Sequence, residues 1–157
     1  MAFARDHGLE AVCIPTLADP QGADERLAGA LAAAGVDLVI LSGYLRRLGP
    51  RTLKAYGGRI LNIHPALLPR FGGRGMFGRH VHEAVLASGD PITGASVHLV
   101  DDEYDHGAVL AQVELPIRAG DTAESIERRV MLAEPRLFVQ TLQRIVSGSL
   151  KLPAAGV

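Results

Sequence analysis

Arg59-Ile60-Leu61-Asn62-Ile63-His64-Pro65-Ala66-Leu67-Leu68-Pro69 is the stretch around which this chain is organised. Its apolar residues predict a buried strand, and Pro65 favours an extended conformation at the residue before it. Side chains two apart on a strand share a face, so Asn62 and His64 are expected to project together where the strand ends. Ligands bind at the carboxyl ends of the strands in open α/β sheets, so this pair marks a candidate site. The alternative is a core histidine hydrogen-bonded to a backbone carbonyl.

Length and composition predict one ordinary globular domain. The 157 residues are 48% hydrophobic and 21% charged, with a formal net charge of −1. We expect a single domain over 1–157, with an ordered core over 1–152 and a tail over 153–157. Near-neutral charge gives no electrostatic footprint for nucleic acid.

Membrane and secretory signals are not expected from the sequence either. No run reaches the roughly 18 apolar residues of a membrane span, and the first residues lack the order of a signal peptide. The single cysteine, Cys13, lies in an apolar run and is predicted to be a core residue. A lone cysteine fits a reducing compartment, so the expected location is cytoplasmic.

Hydrophobic periodicity predicts an α/β fold with a mostly parallel sheet flanked by helices. A first βαβ unit is expected from a strand over 11–15, a helix over 23–34 and a fully buried strand over 37–43. Pro135 is expected to kink the last helix or to split it in two. The other predicted elements are helices over 1–8, 50–56, Arg79–Ser88 and Ala123–Val146, strands over 93–100 and 108–116, and a glycine-rich loop over 71–78.

A carboxylate beside the histidine would favour its protonated form, and Asp105 is the best candidate because its loop leaves a strand that could neighbour the central one. An amide, a protonated imidazole and a carboxylate suit acyl transfer to an amine, in which an oxyanion needs donors and an ammonium must lose a proton. Ser42, Ser96 and Cys13 lack the context of a covalent nucleophile, so direct transfer is the simpler scheme.

Metal binding is the weaker interpretation of the remaining polar residues. His80 and His82 raise the possibility of zinc, but one cysteine and the absence of a His-Glu-x-x-His pattern make the ligand spacing poor. The acidic connection over 101–107 is either a solvated loop or a calcium site, although EF-hand spacing is absent. No metal is expected.

Four motifs in order resemble the folate-dependent formyltransferases, and within them the phosphoribosylglycinamide formyltransferases. The resemblance covers residues from about 3 to 152 and implies a Rossmann-like formyltransferase fold. It implies transfer of a formyl group from 10-formyltetrahydrofolate to the amine of glycinamide ribonucleotide in de novo purine (IMP) biosynthesis. It also implies a monomer or homodimer with small-molecule substrates. The motifs are the Leu61 to Pro69 stretch, His80-Val81-His82-Glu83-Ala84-Val85, Gly94-Ala95-Ser96-Val97-His98 and Asp102-Glu103-Tyr104-Asp105-His106-Gly107.

The resemblance also assigns roles to particular residues. Asn62, His64 and Asp105 match the family's catalytic trio, in which Asp105 holds the histidine charged and organises a water that relays the proton. Glu134 matches a glutamate that holds the amine-bearing substrate. The folate pocket is implied to lie between two loops and to include Asn62. The loops are made of Leu45, Arg46, Arg47 and Leu48 on one side and Asp101, Asp102, Glu103, Tyr104 and Asp105 on the other.

Two departures from the family pattern keep alternatives open. The family's first strand and its Gly-Ser-Asn phosphate loop are not expected in this chain, and Gly22 and Ala23 stand where an arginine near the folate is common. The alternatives are a formyltetrahydrofolate deformylase-like hydrolase, a methionyl-tRNA formyltransferase, and a non-catalytic folate-binding remnant. Pro65 and residues 80–85 favour transfer to glycinamide ribonucleotide.

Overall fold

A four-stranded sheet positions the site in the computed structural model, which describes residues 2–153. The strand order is β1-β2-β3-β4. β1 and β2 are parallel, whereas β2 pairs antiparallel with β3 and β3 pairs antiparallel with β4. The sheet of the described strands is therefore mixed, and the expectation that it is mostly parallel is wrong. The elements are α1 (Ala2–Asp6), α2 (Pro20–Ala33), β1 (Val39–Leu41), α3 (Pro50–Ala55), β2 (Ile60–His64), α4 (Arg79–Ser88), β3 (Ile92–Leu99), β4 (Val109–Pro116) and α5 (Ala123–Val146).

The predicted strand over 11–15 does not form. These residues have no regular secondary structure, and Val12 is 64% exposed. Cys13 is exposed as well, so its prediction as a core residue is wrong. An apolar run becomes a strand only when a neighbouring strand pairs with it, and β1 pairs only with β2 among the described strands. The parallel unit is consequently β1-α3-β2, one unit later in the chain than predicted.

β1 also differs from its prediction. It has three residues, shorter than the predicted strand over 37–43, and Ile40 in its middle is 44% exposed. A strand at the edge of a sheet has a partner on one side only, so an apolar sequence there does not guarantee full burial.

Helix α2 begins three residues earlier than predicted, because Asp19 and Pro20 start it rather than form a loop. The Asp19 side chain accepts a hydrogen bond of 2.9 Å from the Gly22 N–H, and Pro20 occupies the first helical position, where its missing N–H costs nothing. The helix ends before Gly35, whose φ of +62° is a left-handed conformation that suits glycine.

Helix α5 runs unbroken through Pro135, so the predicted splitting is wrong. A proline leaves the carbonyl four residues earlier without its helical partner. That residue is Met131, which is 60% exposed, so solvent can satisfy the carbonyl. The predicted start is confirmed: Thr122 and Ser125 form a reciprocal capping box at the first turn.

Helices cover both faces of the sheet. Ile60 packs in a cluster with residues of α2 and α3, whereas Ile63 packs against the cluster that joins β3 to α5. Because these two residues are three apart on β2, they point to opposite faces. The predicted tail over 153–157 lies outside the described residues except for Pro153.

Candidate functional site

The predicted pair on β2 lies at the end of the strand, beside the neighbouring strand β3. Asn62 is opposite His98 and His64 is opposite Ser96 in the antiparallel register. Side chains directly opposite each other share a face, so β3 adds a second imidazole to the pair. The Nδ2 of Asn62 lies 3.1 Å from the Nε2 of His98.

His64 is anchored at both ring nitrogens. Its Nε2 donates a hydrogen bond of 2.7 Å to the carbonyl oxygen of Phe71, and its Nδ1 lies 3.5 Å from the Oδ1 of Asp105. The side chain is only 4% exposed. With the Nε2 proton committed to a carbonyl, Nδ1 carries a second proton only in the imidazolium form, and that proton then faces a carboxylate. His64 therefore has both features that were treated above as alternatives: a hydrogen bond to a backbone carbonyl and a position in the candidate site.

Asp105 is held by a strained turn and by the glycine-rich loop. Its φ of +54° makes it the one non-glycine residue in the left-handed region among residues 2–153. Its Oδ2 accepts a hydrogen bond of 3.0 Å from the Gly73 N–H, while Oδ1 lies 3.6 Å from the Nε2 of His98. Backbone strain of this kind is found at functional sites, where the surrounding structure maintains it.

His98 is the site residue that sequence reasoning missed. It was quoted within a motif, but only the register between β2 and β3 reveals its position. Its Nδ1 donates a hydrogen bond of 2.8 Å to the carbonyl of Leu99, so in the neutral ring Nε2 is an acceptor for the Asn62 amide. Burial lowers the pKa of His98, and the opposing effects of the Leu99 carbonyl and the Asp105 carboxylate do not offset it. A neutral His98 thus orients the Asn62 amide.

A cleft of about 560 Å³, called the main cleft below, opens in front of these side chains. Asn62, His64 and Asp105 line it, and so does Glu134 from α5. Burial raises the pKa of Glu134, and none of the ion pairs within residues 2–153 involves it. A carboxylate that is partly desolvated and unpaired is suited to bind a cationic group of a ligand. The glycine-rich loop contributes Gly73, Arg74, Gly75, Phe77 and Gly78 to the lining.

The two loops predicted to hold folate line a second, inner cavity. Arg46, Arg47 and Leu48 form one wall and the five residues from Asp101 to Asp105 the other, with Asn62 and His98 at the base. Leu45 is not among the residues that line this cavity, but it lines the main cleft together with Tyr104 and Asp105. Apart from that residue, the structure brings the predicted folate-pocket residues together.

The residues weighed for metal binding do not form a site. His80 is exposed and pairs with Glu83 at 3.4 Å, whereas His82 is buried within α4. The part of the chain from 2 to 153 holds no group of three His, Cys, Asp or Glu side chains placed to bind a metal ion. In the same residues, none of the helices has both the length and the apolar character needed to cross a bilayer.

Ser96 has a structural position rather than that of a nucleophile. It is fully buried, donates a hydrogen bond of 2.7 Å to the carbonyl of Ala66 and accepts one of 3.0 Å from the N–H of Leu68. Gln112 of β4 donates to the Ser96 hydroxyl and to the Leu68 carbonyl. This network attaches the loop after β2 to the sheet and so holds the end of the strand that carries His64.

Comparison with known proteins identifies a family for this arrangement. A family model described as formyl transferase matches residues 5–142. The chain is 40% identical to a phosphoribosylglycinamide formyltransferase of Arabidopsis thaliana, over 99% of this chain and 54% of the relative. It is also 40% identical to the enzyme of that name from Escherichia coli, over 74% of this chain and 52% of the relative. The chain thus spans about half the length of the curated relatives it matches.

Solved structures give the same result for the fold. A glycinamide ribonucleotide transformylase from Symbiobacterium toebii superposes with a TM-score of 0.83 and 34% identity, covering 98% of this chain and 71% of that chain. A formyltetrahydrofolate deformylase from Pseudomonas syringae has a TM-score of 0.85 but 20% identity, over 99% of this chain and 51% of that one, and so shows the fold alone. The predicted Rossmann-like formyltransferase fold is confirmed.

Proposed function

The chain belongs to the formyl transferase family, and from that premise we propose that it transfers a formyl group from 10-formyltetrahydrofolate to the amine of glycinamide ribonucleotide. One observation carries the proposal: Asn62, His64 and Asp105 converge on the wall of one cleft that also contains Glu134. The names of relatives at about 40% identity support the same substrates. A cytoplasmic location stays a prediction from the sequence.

The reaction needs donors for a developing oxyanion. Attack of the amine nitrogen on the formyl carbon forms a C–N bond and a tetrahedral intermediate, which collapses by breaking the bond between that carbon and N10 of the folate. Asn62 gives one amide N–H to His98 and retains a second for the oxyanion, while the imidazolium of His64 would add a positive charge two residues along the same face. An amide donor and a positive charge in a partly desolvated cleft stabilise the oxyanion more strongly than water does.

The two carboxylates of the site, Asp105 and Glu134, would have different roles in the reaction. Asp105 lies close enough to stabilise the imidazolium of His64, and with an ordered water it would accept the proton released by the ammonium and return one to N10. Glu134, on the other side of the cleft, would bind and orient the amine-bearing substrate. The proposal therefore assigns one carboxylate to proton relay and the other to substrate binding.

The folate itself would bind between the two loops that line the inner cavity. Asn62 lines both the inner cavity and the main cleft, so a pterin bound in the first would bring its formyl group to the second. The amine substrate would enter the main cleft beside the glycine-rich loop. Ser96 is occupied by structural hydrogen bonds, so direct transfer is the scheme we propose.

The test is a formyl-transfer assay with a 10-formylfolate donor and glycinamide ribonucleotide, comparing the protein with its Asn62→Ala variant. Loss of one oxyanion donor should lower kcat by about 10²–10³-fold while folate binding persists. Release of formate without the amine would instead support a deformylase-like hydrolase. Folate binding by a folded protein that carries out neither reaction would support a non-catalytic remnant.

A further inference from the structure

Arg47 joins the two walls of the inner cavity. It lies on the loop after β1, yet its guanidinium donates to the backbone carbonyl of Asp102, 55 residues away in the chain. Its Cζ also lies 5.8 Å from the centre of the Tyr104 ring. The two loops follow different strands, and this side chain makes a polar contact between them.

The contact of Arg47 with the acidic loop lies between two cavities of very different volume. The inner cavity measures about 70 Å³, and an outer cavity of about 610 Å³ lies between the same loop and the residues that precede and begin α2. Arg47 and Tyr104 line both. They therefore form the partition between these cavities, and displacement of the arginine would connect them.

The inner cavity is narrow, at about 70 Å³. A flat ring system packs best between closely spaced walls, so the width of this cavity should affect its binding. The arginine contact holds the two walls together, and without it they can move apart. The strength of that contact depends on the guanidinium, since its cation lies over an aromatic ring while an N–H group reaches a carbonyl, a combination that lysine does not reproduce.

We propose that Arg47 is a positioning residue that sets the width of the folate cavity, acting as a latch between the loop of residues 44–48 and the acidic loop of residues 101–105. The inference rests on the proposed use of folate. The arginine touches neither reacting atom: it acts by holding Tyr104 and the Asp102 carbonyl in place around the bound ring system. Its loss should weaken folate binding and leave the catalytic step largely intact.

The experiment is a double-mutant cycle on folate affinity, with 5-formyltetrahydrofolate as the probe. Equilibrium binding is measured for the protein and for Arg47→Ala, Tyr104→Ala and the double variant, with circular dichroism as the check on folding. We expect each single change to weaken binding about three- to tenfold and the double variant to be little worse than either, because both remove the same contact. Arg47→Lys should fall between the parent and Arg47→Ala.

Steady-state kinetics distinguish the proposed positioning role of Arg47 from a general effect on the structure. Arg47→Ala should raise KM for the formyl donor and leave KM for the amine and kcat unchanged. The matched control is Arg128→Ala, which removes an exposed arginine on α5 that pairs with Glu124, and should leave all three constants unchanged. Additive losses in the cycle, or full affinity in Arg47→Ala, would overturn the latch. A parent protein that does not bind the probe at all would overturn the proposed function instead.

Discussion

Gly72→Ala should damage catalysis by pushing on Asp105. A Cβ at this position would lie 2.5 Å from the Cδ2 of Leu68 and 2.9 Å from the Cβ of Asp105. The second distance is 0.5 Å less than the 3.4 Å at which ordinary contact begins. Leu68 is 6% exposed and cannot move freely, so the turn that carries the carboxylate must give way.

The expected size of the effect follows from that displacement. A misplacement of about 1 Å in a catalytic group can cost about 10²-fold in rate, so a shift of about half that should lower kcat roughly tenfold or more. Overpacking should also cost about 1–3 kcal/mol of the free energy of unfolding. The Gly73 N–H that orients Asp105 comes from the next residue, so the same change disturbs the carboxylate from two directions.

The assay combines steady-state formyl transfer with urea denaturation. Gly29→Ala is the matched control because it makes the same chemical change on the exposed side of α2, where no atom lies within 4 Å of the new Cβ. It should keep full activity and gain up to about 1 kcal/mol of stability, since alanine suits a helix better. Wild-type kcat in a folded Gly72→Ala variant would refute the steric reasoning.

Three further predictions concern the buried polar groups. Because burial raises the pKa of Glu134 above its ordinary value of 4.5, activity should begin to fall on acidification at a higher pH than for an exposed glutamate. Glu134→Gln should remove that acid limb from kcat/KM for the amine and raise its KM, and an unchanged limb would exclude Glu134 as its source. Burial alone would raise the pKa of Asp24, but hydrogen bonds from Thr52 and the nearby Arg51 lower it overall. This carboxylate therefore stabilises the fold fully at pH values above its ordinary pKa of 3.8, and that contribution is lost as the pH falls through the lowered pKa. Asp24→Ala should cost about 2–4 kcal/mol in urea titrations at neutral pH, since it leaves buried donors at the start of α3 without an acceptor, and a loss under 0.5 kcal/mol, the usual range of a surface substitution, would contradict this role. His98→Ala should lower kcat about tenfold or more because Asn62 loses its orienting acceptor, and a rate equal to that of the parent would contradict it.

The helices could be predicted well because their signals are local. α4 and α5 have the predicted bounds: Gly89, in a left-handed conformation, follows the first, and the Thr122 cap begins the second. Such signals depend on residues within a few positions of each other, so the ends of a helix can be predicted from the adjacent sequence. The prediction that Asn62 and His64 share a face is also local, because the alternation of side chains along a strand depends only on that strand.

The start of α2 was missed although its signal is local, but the larger failures depend on the surroundings of a segment. Residues 11–15 have the composition of a strand but no strand pairs with them, and Cys13 among them is consequently exposed. Pro135 is expected to kink or split α5, but the helix continues through it, and the exposed position of Met131 lets solvent reach the carbonyl that the proline leaves unpaired. In both cases the local pattern was interpreted correctly, and the surroundings decided the outcome.

The end of β2 that carries the amide and the imidazole could be predicted from the residues of that strand alone, and Asp105 could be named as the candidate carboxylate. His98 could not, because it joins them through the register between β2 and β3, which depends on contacts between segments far apart in the chain. The same holds for the Gly73 N–H on Asp105 and for Arg47 across the two loops. A segment's φ and ψ preferences and its side-chain periodicity are local properties. The pairing of remote segments depends instead on how the whole chain packs.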